Sequence, residues 1–390
     1  NGSKIPESYS MQNKWNVYQH WDPLKVCVVG RSYPPEFYSW IQKPAVRKLF
    51  EKIAIETEED YQKIISVLKK FNVQIHRPEL PDRTFVSGRH FPPPMTPRDY
   101  MVMIGDTFYK GYQLNIKQFY QNVKAEHWPT IENFDDFFNL PQWIIDECYR
   151  DHQLQELIDF FSSYDKIFDK ILTNGNTIHD PIMHFTSGAY VTRCGKDLYF
   201  GTKTPKDDIR MYQSLLGTKF PDTRNHIIDT QGHSDASFCP VCPGLIVTLE
   251  DICDYNKTFP DWEVLYLPDQ SWHKVAPFLD LKAKNNGAWW IPGFEYNNDV
   301  TDFVEQHLST WVGYVEETVF DVNMLILDPK NVMVFNYNKE LFATFERYGI
   351  TPHVVNFRHR YFWDGGIHCV TADLHREGSM QDYFPKRSKK

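Results

Sequence analysis

The chain has 390 residues, 42% hydrophobic and 16% aromatic, enough to bury a sizeable core without disulfide staples. Its 51 acidic and 42 basic side chains leave a formal charge of -9, and basic residues bunch only in the tail at Lys386, Arg387, Lys389 and Lys390. That argues against nucleic acid as a partner, because phosphate neutralisation needs clustered cations, and it suits a small cationic ligand. No apolar run approaches the roughly 18–20 residues of a membrane-spanning helix, so no membrane association is expected.

The seven cysteines (Cys27, Cys148, Cys194, Cys239, Cys242, Cys253 and Cys369) are an odd number, widely scattered. They read as reduced thiols in a cytoplasmic setting and not as a disulfide framework. Asn1-Gly2-Ser3-Lys4 lacks the form of a secretory signal, which leaves a removed targeting segment open.

One pattern recurs along the chain: a polar residue, an apolar strand, a tight turn and often a second strand. Asp22-Pro23-Leu24 precedes a strand at 25–29. The next predicted element is a helix capped at Thr57, with Glu58, Glu59 and Asp60 as a solvated first turn and Tyr61, Ile64, Ile65, Leu68 and Phe71 on one face. Pro97-Arg98-Asp99 leads into a strand at 100–104, with Gly105-Asp106 turning into 107–109. A helix is expected over 154–168.

Ser187-Gly188 stands before a strand at 189–193, and Gly195-Lys196 turns into 197–200. His233-Ser234-Asp235 precedes 236–238, and Cys242-Pro243-Gly244 turns into 245–249. A hairpin over 322–335 turns at Asp328-Pro329-Lys330-Asn331, with a helix at 339–348 and a strand at 353–356 after it. Gly365-Gly366-Ile367-His368-Cys369 opens the last strand, 370–374. Repetition without a weak linker predicts one domain over 1–390, with 1–12 and 384–390 flexible, whose strand starts gather at one mouth.

Several residues at those strand starts can carry chemistry. Cys369 follows two glycines, where bare backbone lets a substrate approach and permits unusual dihedrals. Alone, it reads more often as a buried small hydrophobe, and His233 as an ordinary histidine. The Cys239-Pro240-Val241-Cys242 pair lacks the second pair that a zinc ribbon requires and reads as buried thiols, so no metal is expected. Trp289-Trp290 and Tyr361-Phe362-Trp363 read as core or rim, the second run as a wall beside Cys369.

Taken in order, these segments resemble the arginine:glycine amidinotransferase family, within the pentein superfamily of guanidino-modifying enzymes. The resemblance runs from Trp21-Asp22-Pro23-Leu24 through Pro97-Arg98-Asp99, His233-Ser234-Asp235-Ala236-Ser237-Phe238 and the hairpin from Asn323 to Val334. It ends at Gly365–Cys369 and the tail Asp373-Leu374-His375-Arg376-Glu377-Gly378. It implies an α/β fold, the pentein fold: a fivefold pseudosymmetric α/β propeller of ββαβ-type units. It implies no cofactor, a small-molecule guanidine donor and an amine acceptor as partners, and it leaves a homodimer open.

It also implies roles for individual residues. Cys369 is the nucleophile and His233 the general acid and base. Asp99 and Asp235 clamp the guanidinium, which presents five donors in a planar fork, and Arg98 stands beside them. The implied activity is transfer of the amidino group of arginine or a related guanidine to an amine through an amidino-cysteine. A guanidino hydrolase of the same fold and a catalytically impaired guanidine-binding protein are the alternatives, distinguished by a ureido product and by no turnover.

The chain departs from the family pattern at four places. Ser187 stands where the family has an aspartate partner for the histidine, and His179, Asp180, His184 and Asp364 are the substitutes within reach in sequence. Ile252 replaces an arginine that anchors a carboxylate, and Glu316-Glu317 replaces a Ser-Ser pair that seats an amino-acid end. Losing a cation and gaining two anions favours an amine-rich substrate that lacks a carboxylate. Asp364, in place of a glycine, is a further candidate for binding a substrate amine or tuning Cys369. Ser187, Glu316, Glu317 and Asp364 therefore join the expected substrate-binding set.

Overall fold

The computed structural model describes residues 14–86, 88–111, 161–179, 187–202, 209–230, 232–267, 289–312, 319–363 and 365–387. Five three-stranded sheets share one plan. In each, a central strand pairs antiparallel with one neighbour and parallel with the other; in four sheets the antiparallel pair is a hairpin, and in the remaining one it joins the first strand of the chain to the last.

The first sheet holds β1 (Leu24–Val29), β2 (Gln74–His76) and the last strand, β17 (Thr371–Arg376). A two-stranded ribbon, β3 (Phe85–Val86) and β4 (Arg89–His90), follows. The second sheet has β5 (Met101–Ile104), β6 (Thr107–Lys110) and β7 (Thr177–His179), and the third β8 (Val191–Cys194), β9 (Asp197–Thr202) and β10 (Arg224–Asp229). The fourth has β11 (Phe238–Cys242), β12 (Leu245–Thr248) and β13 (Glu263–Tyr266), and the fifth β14 (Leu325–Asp328), β15 (Asn331–Val334) and β16 (Thr351–Val354). Pairing of β17 with β1 places both ends of the chain in one sheet. This is the α/β propeller of the pentein fold.

The inner hairpins are covered on both faces: β5, β8, β9, β12 and most of β1 are buried, and the charged side chains buried among them, Arg193 and Asp197, are ion-paired. Their turns need left-handed backbone, supplied by Gly105 (φ 59°), Gly195 (φ 64°) and Gly244 (φ 94°). In the fifth hairpin the turn is closed instead by the Asp328 carboxylate, which accepts from Lys330 N at 2.8 Å.

Helices α1 (Pro44–Lys70), α2 (Asp165–Thr173), α3 (Ile209–Lys219) and α4 (Lys339–Tyr348) precede the parallel third strands of four sheets. The start expected at Thr57 lies inside α1, which begins one element earlier at Pro44, a residue suited to the first helical position. Val46, Leu49, Phe50, Ile53 and Ala54 already follow helical spacing upstream of Thr57 and are buried. Thr57 is buried too, and its Oγ1 accepts from Trp363 Nε1 at 2.9 Å. Of the acidic residues, Glu59 is exposed, but Asp60 is fully buried and accepts from Arg358 N and Nε at 2.8 and 3.0 Å, so the run is not a solvated first turn.

The helix expected over 154–168 is, in its described part, a 3-10 turn at Ser162–Tyr164 followed by α2. Residues 1–13 lie outside the described residues, but the tail expected to be loose from 384 is anchored as far as 387. Phe384 is buried, and Arg387 Nη1 donates to Asp197 and to the Tyr199 hydroxyl at 2.7 and 2.9 Å. Phe362 and Trp363 belong to the core, with Trp363 stacked on Trp311.

Candidate active site

A short helical turn precedes each of four inner hairpins. They span Pro97–Asp99 before β5, Gly188–Tyr190 before β8, Ser234–Ala236 before β11 and Val319–Val322 before β14. Successive turns touch one another, and the first also meets β17. The expected strand at 236–238 is thus a turn that ends at Ala236, with the strand beginning at Phe238. Such turns replace the extended lead-in because they aim side chains at a common point while the strands diverge behind them.

Cys369, two residues before β17, lies at that point and is 7% exposed. Its Sγ is 3.5 Å from Asp235 Oδ2 and receives a hydrogen bond of 3.2 Å from Asn323 Nδ2. The same Asp235 oxygen is 2.8 Å from His368 Nδ1. His233 Nδ1 faces Asp99 Oδ1 at 3.7 Å, and its ring meets Tyr190 edge-on at 4.9 Å. Among the described residues, Asp99 Oδ1 and Asp235 Oδ1 are buried without a hydrogen-bond donor.

The electrostatics divide these groups. Burial pushes the Cys369 thiol well above its ordinary value, and the Asp235 and Asp99 carboxylates add to this against the opposing Asn323 hydrogen bond. Burial also works to raise Asp235, but the hydrogen bond and charge of His368 outweigh it and hold the carboxyl below its usual range. Asp99 is raised by burial, with His233 pulling the other way. Burial, then the charge of Arg98, lowers His368 to about 4, so its ring is neutral near pH 7. Burial and the two carboxylates push Tyr190 up to about 12.

Arg98, expected as a substrate ligand, has a different task in the structure. It is 1% exposed, with Nη1 bonded to Asp373 Oδ1 at 2.5 Å and Nε to the carbonyl of Thr371 at 3.0 Å. Arg193 grips both oxygens of Asp373 at 2.8 and 2.9 Å, and Arg376 Nε reaches Oδ2 at 2.6 Å. A buried aspartate therefore gathers three arginines from three units.

Ser187 is buried and caps its own turn, its Oγ accepting from Ala189 N at 3.3 Å. His179 stacks on Tyr109 in the second sheet, and Ile252 is partly buried against the core. Glu316, Glu317, Asp364, Asp180 and His184 lie outside the described residues. Neither Gly365 nor Gly366 is among the glycines with positive φ. A Cβ on Gly366 would fall 2.1 Å from Asn323 Oδ1, so the bare backbone makes room for this side chain.

Three residues at the site had no role assigned from sequence: Asn323, His368 and Tyr190. A signal for Asn323 was present, since it stands two residues before its strand, as Asp99 and Cys369 do before theirs.

Comparison with known proteins agrees with this architecture. No family model matches the chain. It is 23% identical to the mitochondrial glycine amidinotransferase of Xenopus tropicalis over 407 aligned positions, which cover 94% of this chain and 84% of the relative. It is 21% identical to inosamine-phosphate amidinotransferase 1 of Streptomyces glaucescens, covering 94% of this chain and 98% of that protein. Among solved structures, SxtG, an amidinotransferase of Microseira wollei from the saxitoxin biosynthetic pathway, superposes with a TM-score of 0.60 at 17% identity, covering 95% of this chain and 99% of that one. The inosamine-phosphate amidinotransferase StrB1 of Streptomyces griseus gives 0.56 at 15% identity, with the same coverages of 95% and 99%.

The chain has the pentein fold, and the relatives it resembles over nearly its whole length are amidinotransferases. No helix among the described residues is long and apolar enough to cross a membrane.

Proposed function

We propose that the protein moves the amidino group of arginine, or of a related guanidine, onto an amine, with Cys369 carrying the group between the two. The observation that carries this reading is the pair of buried carboxylates, Asp99 and Asp235, each with one undonated oxygen, beside the Cys369 sulfur. Buried acceptors are rarely left without donors, and a guanidinium offers a planar set of five.

A cation placed there also answers the field that keeps the thiol protonated, which couples ionisation of Cys369 to substrate arrival. The thiol proton passes to His233, and the thiolate adds to the central guanidinium carbon. The bond from that carbon to the leaving nitrogen then breaks. The nitrogen keeps the electron pair and takes the proton from His233, and the amidino group remains on sulfur.

An incoming amine loses its proton to His233 and attacks the same carbon, and the carbon–sulfur bond breaks. Asp99, facing Nδ1, stabilises the imidazolium at each stage and leaves Nε2 to carry the proton. Asp235, held by neutral His368, keeps one oxygen toward the sulfur. Ile252 supplies no cation for a carboxylate, which favours an acceptor without one.

The test is incubation with arginine and a panel of primary amines, followed by intact mass and product analysis. Expected are a single amidino adduct on Cys369, released ornithine and an amidinated amine, all absent from Cys369→Ser. Citrulline and ammonia would instead mark a hydrolase. No adduct and no product across a broad guanidine panel would overturn the proposal.

A further inference from the structure

We propose that Asn323 is the positioning residue of the nucleophile: its carboxamide holds the Cys369 sulfur and donates the hydrogen bond that stabilises the thiolate. The inference rests on the reading of Cys369 as the reactive group. The propeller repeats one lead-in five times, and four lead-ins supply Asp99, Ser187, His233 with Asp235, and Cys369. The fifth supplies Asn323, which follows the turn Val319–Val322 and is fully buried.

Its hydrogen bonds use the whole capacity of a carboxamide. Oδ1 accepts from the backbone N–H of His368 at 2.9 Å and of Cys369 at 3.2 Å. Nδ2 donates to the carbonyl of Asp235 at 3.1 Å and to Cys369 Sγ at 3.2 Å. Two backbone donors require an oxygen opposite them, so the orientation of the amide is set and its N–H must face the sulfur. Gly366 leaves the space that the oxygen occupies.

This arrangement gives the sulfur a fixed position and a neutral donor amid groups that disfavour its charge. Asp235 and Asp99 are anionic neighbours, and His368 is engaged with Asp235. The bond to the Asp235 carbonyl also ties the carboxylate turn to the nucleophile loop, so that both move as one piece.

Asn323→Asp separates the donor role from the structural one. The aspartate keeps an oxygen for both backbone N–H groups at nearly the same size, but turns the donor facing the sulfur into an anion. The measurement is the pH dependence of Cys369 alkylation by iodoacetamide, located by mass spectrometry. The expected midpoint rises by about one pH unit, and alkylation near neutral pH slows about tenfold, following the thiolate fraction. Arginine binding in a Cys369→Ser background should be retained.

Asn323→Ala, read by the same profile, serves if the aspartate variant does not fold. An unchanged midpoint in either folded variant overturns the inference. An amidino adduct that forms on the unaltered protein and equally fast on Asn323→Asp sinks this inference alone. A shifted midpoint with no adduct on the unaltered protein sinks the transfer reading and leaves Asn323 in place.

Discussion

At the scale of single residues, the site is built from groups whose isolated tendencies are reversed by their neighbours. A buried thiol between two carboxylates is held protonated, and under the proposed function the same carboxylates would receive the guanidinium whose charge favours the thiolate. Gly366 shows how little slack the arrangement has. Substituting alanine puts a methyl group 2.1 Å from the Asn323 oxygen inside a packed interior. Gly366→Ala is expected to lose about 1–3 kcal/mol of stability, the usual range for overpacking, and to react more slowly at Cys369. Denaturant unfolding together with iodoacetamide alkylation checks both, and a variant with unchanged midpoint and rate would contradict the packing argument.

At the scale of elements, the structure rests on local devices that are partly readable in the chain. Helix α4 is capped at Asn338, whose Oδ1 accepts from Leu341 N at 3.1 Å, and it ends at Gly349 with φ 66°. Asn338→Ala is expected to cost about 1 kcal/mol, seen as a lower thermal midpoint, whereas Asn338→Asp should retain most of the stability because it keeps the capping oxygen. Equal losses in both variants would assign the effect to the Asn338 contact with Asp321 instead.

The span of α4 and the turns at Gly105 and Gly195 were legible because cap, apolar spacing and turn chemistry agree there. The start of α1 was misplaced because Thr57, Glu58, Glu59 and Asp60 imitate a helix start. Only the packing of Trp363 on Thr57 and of Arg358 on Asp60 shows the run to be mid-helix, with those two residues buried. The lead-in turns were read as strand starts, since three residues of helical backbone carry no periodicity of their own.

At the scale of the molecule, the propeller is tied behind the site by Asp373. Its carboxylate joins Arg98 from the second unit, Arg193 from the third and Arg376 from its own strand, and Arg376 Nη1 reaches the carbonyl of Ile326 in the fifth at 2.9 Å. Asp373→Asn leaves three arginines buried with their anion removed, so a loss of about 3–5 kcal/mol is expected from denaturant unfolding. A variant as stable as the parent would show that the cluster is solvated in solution.

Acid should also unfold the protein early. Burial lowers His20 well below the ordinary histidine value and brings His368 to about 4. The unfolded chain therefore binds more protons than the folded one between about pH 6.5 and 4. Stability from these histidines is full above that window and is lost as pH falls through it. Asp22, raised to about 6 by burial, opposes them but offsets only part of the loss. The expected result is a urea midpoint that is steady from pH 7 to 8 and falls steeply below about 6.5. A flat profile down to pH 4 would contradict it.

By itself the sequence determined the repeated hairpin units, the resemblance to amidinotransferases and the names of the residues Cys369, His233, Asp99 and Asp235. These lie in short contiguous segments, where local spacing and motif order survive in one dimension. Only the tertiary structure decided that Arg98 serves Asp373, that Asp99 faces His233, and that Asn323 grips Cys369. Each of those pairings joins segments from different units, and which partner a buried polar group finds is set by the closure of the ring and by the shared need to satisfy donors and acceptors away from water.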